Sequence, residues 1–333
     1  METIEIGSSG LKASRIALGT WAIGGWMWGG TDVRDAQRTI DAAVDHGVTL
    51  IDTAPVYGFG HAEQIVGRAL RAGRRRNHTL IATKCGLSWQ DHKVFRNASS
   101  RRIQQEVEES LRRLRTDHID LYQVHWPDPL VPIEETAGAM ARLFEQGKVR
   151  AIGVSNFSPA QMETFRRAAP LHATQPPYNL FERAIDADVL PHAKNAGLTV
   201  LAYGALCRGL LSGKITADTH FDGDDLRRND PKFQPPRFQQ YLAAVAELER
   251  LAHTRFGKTP LALAVRWILD QGPTIALWGA RRAHQVDGLE DVFGWSLDAE
   301  AKREIDAILA RNIPDPVGPE FMAPPASLAR AAA

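Results

Sequence analysis

The chain has 333 residues, of which 44% are hydrophobic and 24% charged, proportions typical of a water-soluble globular enzyme. Lys and Arg exceed Asp and Glu by 40 − 39 = +1, so there is no strong overall field to attract nucleic acid or anionic lipid. No apolar run reaches the ~18–20 residues that a membrane-spanning helix needs, and Cys85 and Cys207 do not make a disulfide framework. Residues 1–5 lack the apolar core of a signal peptide. We therefore expect a cytoplasmic protein with no nucleic-acid or membrane partner.

The predicted elements begin with a hairpin and continue as alternating strands and helices. Residues 3–6 and 11–14 are typical of two short strands around the turn 7–10. Helical spacing of apolar residues, bounded by capping residues and glycines, predicts helices over 32–46, 62–72, 99–114 and 132–146. Short apolar runs predict eight strands, which begin at Arg15, Thr49, Thr79, Ile119, Val149, Ala173, Thr199 and Thr274.

Eight alternating strand–helix units without a break in composition predict an α/β fold, the (β/α)8 TIM barrel. We expect one domain spanning residues 1–333, with an N-terminal β-hairpin and extra C-terminal helices. Residues 211–237 interrupt this alternation of strands and helices with a polar stretch that contains prolines. A long structureless loop is uncommon unless it has a function, so we expect a lid over a ligand rather than a featureless insertion.

Four polar side chains stand at or just beyond the ends of predicted strands: Asp52, Tyr57, Lys84 and His125. A closed barrel brings strand ends together at its C-terminal rim, where such folds place their chemistry. A free phenol has a pKa of about 10, and a nearby ammonium such as Lys84 is expected to lower it. Asp52 would keep Lys84 charged, and His125 would donate a hydrogen bond to a substrate carbonyl or share the proton relay. Tyr57 is then the predicted general acid of carbonyl reduction.

Longer motifs surround these four residues and resemble those of the aldo-keto reductases, with the bacterial general-stress branch as the best likeness. They are Leu-Ile-Asp-Thr-Ala-Pro-Val-Tyr-Gly (50–58), Ile-Ala-Thr-Lys (81–84), Asp-Leu-Tyr-Gln-Val-His-Trp (120–126), Gly-Val-Ser-Asn-Phe (153–157), Gln-Pro-Pro-Tyr-Asn (175–179), Trp-Met-Trp-Gly-Gly (26–30), Ala-Leu-Trp-Gly-Ala-Arg (276–281) and Asp-Pro-Val-Gly-Pro-Glu-Phe (315–321). The resemblance implies NADPH (NADP+) as the cofactor, bound by the barrel, and Asp52, Tyr57, Lys84 and His125 as a catalytic tetrad.

The resemblance also implies a set of cofactor contacts. Ser155, Asn156 and Gln175 correspond to residues that bind the nicotinamide carboxamide, and Tyr203 to the ring that stacks on the nicotinamide. Arg281 is the expected contact of the 2′-phosphate, at the start of a helix predicted near Ala283. The remaining expected contacts are Gly19, Thr20, Trp21, Asp52, Gly204, Leu206, Cys207, Arg208, Lys214, Gly279, Ala280 and Gln285.

Five tryptophans follow the C-terminal ends of predicted strands: Trp21, Trp26, Trp28, Trp89 and Trp126. A mouth lined by indoles favours an apolar or aromatic aldehyde over a sugar phosphate as the small carbonyl substrate. No spacing of histidines or cysteines is typical of a metal site, so we expect none. The sequence does not indicate the oligomeric state.

Two other functions stay open at this point. A Schiff-base lyase could use Lys84 as a nucleophile, but that chemistry needs a neutral amine, which Asp52 opposes. A non-catalytic, redox-sensing subunit could share the same fold, and no sequence feature excludes it.

Overall fold

The computed structural model describes residues 1–328. Its strands, in chain order, are β1 Thr3–Glu5, β2 Lys12–Ser14, β3 Ile16–Gly19, β4 Leu50–Asp52, β5 Leu80–Cys85, β6 Leu87–Gln90, β7 Lys93–Arg96, β8 Ile119–Val124, β9 Val149–Ser155, β10 Ala173–Gln175, β11 Thr199–Ala202 and β12 Thr274–Gly279. Eight of them, β3, β4, β5, β8, β9, β10, β11 and β12, pair in parallel and close into a barrel. The predicted (β/α)8 TIM barrel is confirmed.

Helices cover the outside of the barrel, as expected for parallel strands joined by crossovers. They are α1 Trp21–Gly24, α2 Val33–Asp45, α3 His61–Ala72, α4 Ser100–Leu114, α5 Ile133–Glu145, α6 Pro159–Arg166, α7 Val189–Asn195, α8 Arg237–Leu251, α9 Pro260–Leu269 and α10 Ala299–Asn312. Three of them follow the capping residues Asp32, Ser99 and Ser158, whose side chains accept hydrogen bonds from backbone N–H groups of the first turn. Within residues 1–328, no helix is long and apolar enough to cross a membrane.

The N-terminal hairpin β1–β2 plugs the lower end of the barrel. It pairs Thr3 with Ser14 in antiparallel register, and Ile6 and Leu11 pack with the side chains that fill the barrel interior. The predicted hairpin is therefore confirmed. With the lower end filled by apolar side chains, the upper rim is left for a ligand.

Side chains alternate between the two faces of each strand, and this alternation decides which residues face the barrel axis. Leu50 and Ala82 belong to the interior cluster. Asp52 and Lys84 follow them at a distance of two residues, so they face the same axis one layer higher, at the rim.

The structure differs from the sequence-based expectation at two places near the rim. The stretch 211–237, expected to be structureless, folds into short 3-10 turns at Leu226–Arg228 and Pro231–Phe233, which bury Leu226 and Phe233. Between β5 and α4 lies an unpredicted hairpin, β6–β7, with Leu87 opposite Arg96. Polar and apolar residues mix in both segments, so neither has the periodicity that reveals an element from sequence.

Candidate active site

The four rim residues predicted from the sequence come together at the C-terminal end of the barrel. Nζ of Lys84 donates to Oδ1 of Asp52 over 2.6 Å and to the backbone oxygen of Thr53 over 3.1 Å. The same ammonium lies 3.4 Å from the Tyr57 hydroxyl. The ring of His125 stands edge-on to the Tyr57 ring, with 5.9 Å between centroids. A carbonyl oxygen placed at the Tyr57 hydroxyl is thus within reach of a phenol and an imidazole.

Two glutamines complete the environment of the Asp52 carboxylate. Nε2 of Gln175 donates to Oδ2 of Asp52 over 2.8 Å, and Nε2 of Gln123 donates to the same oxygen over 3.3 Å. Gln123 was not predicted as a site residue. Its position two residues before His125 places its side chain on the axis-facing side of β8, but a glutamine within an apolar strand carries no distinctive motif. Gly153 makes room for it, since a Cβ there would lie 2.9 Å from the Gln123 side chain.

Burial sets the protonation states of these groups. Burial and the Asp52 charge raise the pKa of Tyr57 well above its ordinary value, so the predicted lowering of this pKa by Lys84 is wrong for the isolated protein. The main reason is burial, which removes the hydration of a phenolate, and the nearby Asp52 charge acts in the same direction. Burial also lowers the pKa of Lys84, opposed by Asp52, and lowers that of His125 well below its ordinary value. At neutral pH the site holds a protonated phenol and a neutral imidazole.

The loop that carries Tyr57 is held by close packing on both sides. The indole of Trp21 stacks on the Tyr57 ring at 5.9 Å and 20°. On the other side, Gly24 lies so near that an added Cβ would be 2.7 Å from the Tyr57 backbone. These contacts restrict the phenol to one orientation at the rim, which is what a proton donor requires.

A single groove runs from the tetrad across the barrel rim. Its walls contain twelve of the expected cofactor contacts besides Asp52 and Arg208: Gly19, Thr20, Trp21, Gln175, Tyr203, Gly204, Leu206, Lys214, Gly279, Ala280, Arg281 and Gln285. Tyr57 and Asp52 lie at one end of the groove, and Arg281 lies at the other. An elongated dinucleotide matches this arrangement better than a compact ligand does.

Two of the three residues expected at the carboxamide, Ser155 and Asn156, are not among the groove walls. The hydroxyl of Ser155 donates to the backbone oxygen of Gln175 over 2.7 Å. The amide of Asn156 donates to the His125 backbone oxygen over 3.0 Å and accepts from the Tyr203 hydroxyl over 2.9 Å. Both side chains therefore hydrogen-bond to residues that line the groove, Gln175 and Tyr203, and Asn156 also binds the backbone of His125.

The loop after β11 contains the expected cofactor contacts Leu206, Cys207 and Arg208, and the last two of these are engaged elsewhere. The guanidinium of Arg208 is buried in ion pairs with Glu182 and Asp230, so its charge does not face the groove unpaired. Cys207 is fully buried. The backbone here is left-handed at Arg208 (φ 54°) and Gly209 (φ 97°). Buried ion pairs of this kind hold a strained loop in place.

The far end of the groove is positively charged. Arg281 and Arg227 both line it, and burial, together with the Arg227 and Arg282 charges, lowers the pKa of Arg281. The predicted helix after Gly279 is wrong in extent, because it is one 3-10 turn, Ala283–Gln285. Oε1 of Gln285 accepts from the backbone N–H groups of Arg281 and Arg282. The positive charge that can attract an anion at this end of the groove therefore comes from arginine side chains rather than from a helix N-terminus.

The stretch 221–228 crosses this end of the groove. The Asp224 carboxylate accepts from the backbone N–H groups of Met27 and Gly29 over 2.8 and 3.0 Å. The Arg281 guanidinium donates to the Trp28 backbone oxygen over 2.6 Å. The stretch that was expected to form a lid is therefore a packed segment, fastened by Asp224 to the backbone of Met27 and Gly29.

The five tryptophans divide into two groups. Trp21 and Trp28 line the groove and meet edge to face at 5.7 Å. Trp26, Trp89 and Trp126 pack with Tyr57 around an apolar cluster beside the tetrad. The mouth near Tyr57 is therefore aromatic. In residues 1–328 no group of three His, Cys, Asp or Glu side chains is arranged to hold a metal ion.

A buried carboxyl behind β5 supports the backbone next to Lys84. Oε2 of Glu106 accepts from the Gly86 N–H over 2.9 Å, and Arg102 lies 3.5 Å away. Burial raises the pKa of Glu106 to about 8. A pKa above the unfolded value means that folding favours the protonated acid. The resulting stabilisation is complete below pH 4.5 and is lost as the pH rises through about 8.

We therefore expect Glu106→Gln, which keeps the acceptor for Gly86, to flatten this pH dependence. Between pH 5 and 8.5 its Tm should fall by roughly 2–4 °C less than that of the parent chain. Thermal unfolding at a series of pH values measures the difference. Glu109→Gln is the matched control, because Glu109 contacts the same Arg102 at 3.4 Å but is half-buried. A parallel fall in all three proteins would contradict the prediction.

Comparison with known proteins gives consistent matches along the chain. The model of the Aldo/keto reductase family matches residues 15–310. The chain is 60% identical over 326 residues to aldo-keto reductase YhdN of Bacillus subtilis, covering 98% of both chains. It is 36% identical to the NADH-specific methylglyoxal reductase of Escherichia coli, covering 86% of this chain and 91% of that one. Among solved structures, the glycerol dehydrogenase AKR11B4 of Gluconobacter oxydans superposes with a TM-score of 0.87 at 59% identity, covering 96% of this chain and 99% of that one.

Proposed function

The chain belongs to the aldo/keto reductase family of NAD(P)H-dependent oxidoreductases, and from that premise we propose that it reduces small aldehydes and ketones to alcohols with NADPH, Tyr57 acting as the general acid. The observation that carries the proposal is the chain of contacts from Asp52 through Lys84 to the Tyr57 hydroxyl, at one end of a groove whose other end is cationic. Its test is a panel of carbonyl compounds assayed with NADPH and with NADH.

The proposed mechanism assigns one task to each residue. The reduced nicotinamide, when bound, supplies the hydride to the carbonyl carbon. Tyr57, which its raised pKa keeps protonated at neutral pH, donates its proton to the carbonyl oxygen as negative charge develops there. The Lys84 ammonium stabilises the phenolate that remains. His125, neutral because burial lowers its pKa, orients the carbonyl by donating a hydrogen bond.

The same geometry does not favour a Schiff-base lyase. Lys84 donates hydrogen bonds to Asp52 and to the Thr53 backbone oxygen, so its nitrogen has no lone pair directed at a carbonyl carbon. Among the relatives, one is named for methylglyoxal reduction and one as a glycerol dehydrogenase. We propose small carbonyl compounds of that kind, and apolar or aromatic aldehydes at the tryptophan-lined mouth, as substrates in the cytoplasm.

The preference for NADPH is proposed on the arginines at the far end of the groove. We expect Arg281→Ala to raise the Kd for NADPH by about 10- to 100-fold, the effect of losing one charge-assisted hydrogen bond, and the Kd for NADH much less. Quenching of tryptophan fluorescence on titration with each cofactor measures both constants.

The neighbouring Arg282→Ala is the matched control, because Arg282 is exposed and lies outside the groove walls. It should leave both constants within a factor of about two. Equal weakening of NADPH and NADH in Arg281→Ala would count against a 2′-phosphate contact.

A further inference from the structure

Four buried charged side chains form a cluster beside the cofactor groove: Glu182, Arg208, Asp230 and Lys232. The Arg208 guanidinium pairs with the carboxylates of Glu182 and Asp230, and the Lys232 ammonium lies 2.9 Å from Oε1 of Glu182. The two positive and two negative charges balance, and each residue is at most 7% exposed. None of the four belongs to the tetrad, so the proposed proton transfer does not explain them. We call them the four-charge cluster.

The four-charge cluster is attached at two points to the loop after β11. One point is Arg208 itself, which lines the groove. The other is Gly204, which also lines the groove and is reached through Asn179. The Asn179 amide donates to Oε2 of Glu182 over 2.7 Å and to the Gly204 backbone oxygen over 3.0 Å. The position of the cluster is therefore set by the same loop that contributes to the proposed cofactor site.

Lys232 extends the cluster to residues 317–322, which we call the C-terminal segment. Its ammonium donates to the Gly318 backbone oxygen over 3.2 Å. The guanidinium of the cluster lies over the ring of Phe321, 5.9 Å from the centroid. The next residue, Met322, is half-buried and lines the cofactor groove. The cluster thus holds the segment that brings Met322 to the groove.

Stability alone is a poor explanation for this arrangement. Well-packed apolar side chains of similar volume often replace a buried ion pair with no loss of stability, because removal of charges from water costs free energy. A buried ammonium does supply a directed hydrogen bond to a chosen backbone oxygen. The bond from Lys232 to Gly318 fixes the main chain of the C-terminal segment relative to the loop after β11.

We propose that Lys232 is a positioning residue for cofactor retention. It connects the C-terminal segment to the loop after β11 and so keeps Met322 in the wall of the cofactor groove. The segment held in this way slows the departure of the bound dinucleotide. This proposal rests on the proposed binding of a nicotinamide dinucleotide in the groove, and it adds a device that retains the dinucleotide there.

The main test variant removes the connection without leaving a charge unpaired. In Lys232→Met with Glu182→Gln, one charge of each sign is lost, and Arg208 keeps Asp230 as its partner. The glutamine side chain still offers an oxygen to the Asn179 amide. The double change therefore avoids the large cost of leaving a single buried charge without a partner.

The matched control removes another largely buried pair, at the lower end of the barrel. It is Arg266→Met with Asp270→Asn, a pair separated by 2.8 Å and linked to Glu2 next to the N-terminal hairpin. This control also loses one charge of each sign, but it leaves the groove and the C-terminal segment unchanged.

The measurement is the dissociation rate of NADPH, followed by tryptophan fluorescence when the bound cofactor is displaced by excess NADP+. Dissociation should be about tenfold faster in the main variant, comparable to the loss of two buried methylene groups, and within about twofold of the parent in the control. Equal dissociation rates in the parent and the main variant would overturn the proposal.

Met322→Ala separates positioning from a general effect on stability, because it changes no buried charge. Alone, it should speed NADPH dissociation by about threefold to tenfold. Added to the main variant, it should change the rate by less than about twofold, since Met322 is then no longer held in the groove wall.

Two results with Met322→Ala contradict the proposal. One is an unchanged dissociation rate in the single variant, and the other is an equal, additive increase in both backgrounds, which would mean that the cluster does not act through the C-terminal segment. A parent chain that binds neither NADPH nor NADH would refute the proposed function itself, and this result is distinct from both.

Discussion

Replacement of Tyr57 by Phe is expected to lower kcat/KM for carbonyl reduction by roughly 100- to 10,000-fold, the range attributed to one positioned general acid. The ring of Phe can keep the stacking on Trp21, which lies at 5.9 Å, and the loop packing against Gly24. What is removed is the hydroxyl, a proton donor that lies 3.4 Å from the Lys84 ammonium. The loss should therefore appear in kcat, with the Kd for NADPH unchanged within a factor of about two.

Steady-state rates with methylglyoxal and benzaldehyde, beside a fluorescence titration of the cofactor, separate these effects. Tyr178→Phe is the control, since the Tyr178 hydroxyl is directed at Asp186, away from the tetrad. If Tyr57→Phe kept most of its reductase activity, proton donation would have to come from another group. A lyase, or a subunit that only binds the cofactor, would likewise be insensitive to this change.

The barrel and the tetrad could be predicted because both follow from short-range patterns. Short apolar runs locate the strands, and a polar residue at the C-terminal end of a strand must lie at the rim of a closed barrel. Asp52 and Lys84 are examples, separated by 32 positions in the sequence and joined at 2.6 Å in the structure. Gln123 obeys the same rule, yet a glutamine inside an apolar strand has no distinctive motif.

The parts that escaped prediction depend on contacts between distant segments. Arg208 has the sequence context of a phosphate-binding loop, but its partners Glu182 and Asp230 come from other segments. Likewise, the raised pKa of Tyr57 comes from burial and from the Asp52 charge, which a sequence does not quantify. The stretch 221–228 is held in place because the Asp224 carboxylate binds the backbone of Met27 and Gly29. No local sequence pattern predicts this contact between distant segments.

Lys84→Met is expected to abolish activity as fully as Tyr57→Phe, but with a cost in stability that Tyr57→Phe does not carry. Asp52 and Lys84 are 2% and 1% exposed, and removal of one partner of a buried ion pair typically costs about 3–5 kcal/mol. The free energy of unfolding should fall by that amount because the Asp52 carboxylate is left in the core without its cation. Denaturant unfolding and steady-state kinetics measure the two losses separately.

The double variant Asp52→Asn with Lys84→Met distinguishes stability from catalysis. It removes both charges, so most of the lost stability should return, whereas activity should stay low because the phenolate of Tyr57 has no cation beside it. Lys84→Arg keeps the charge and should retain part of the reductase activity, while a lyase that depends on the Lys84 amine would retain none. Recovery of both stability and activity in the double variant would show that Lys84 only fills space, and the role assigned to its ammonium would be wrong.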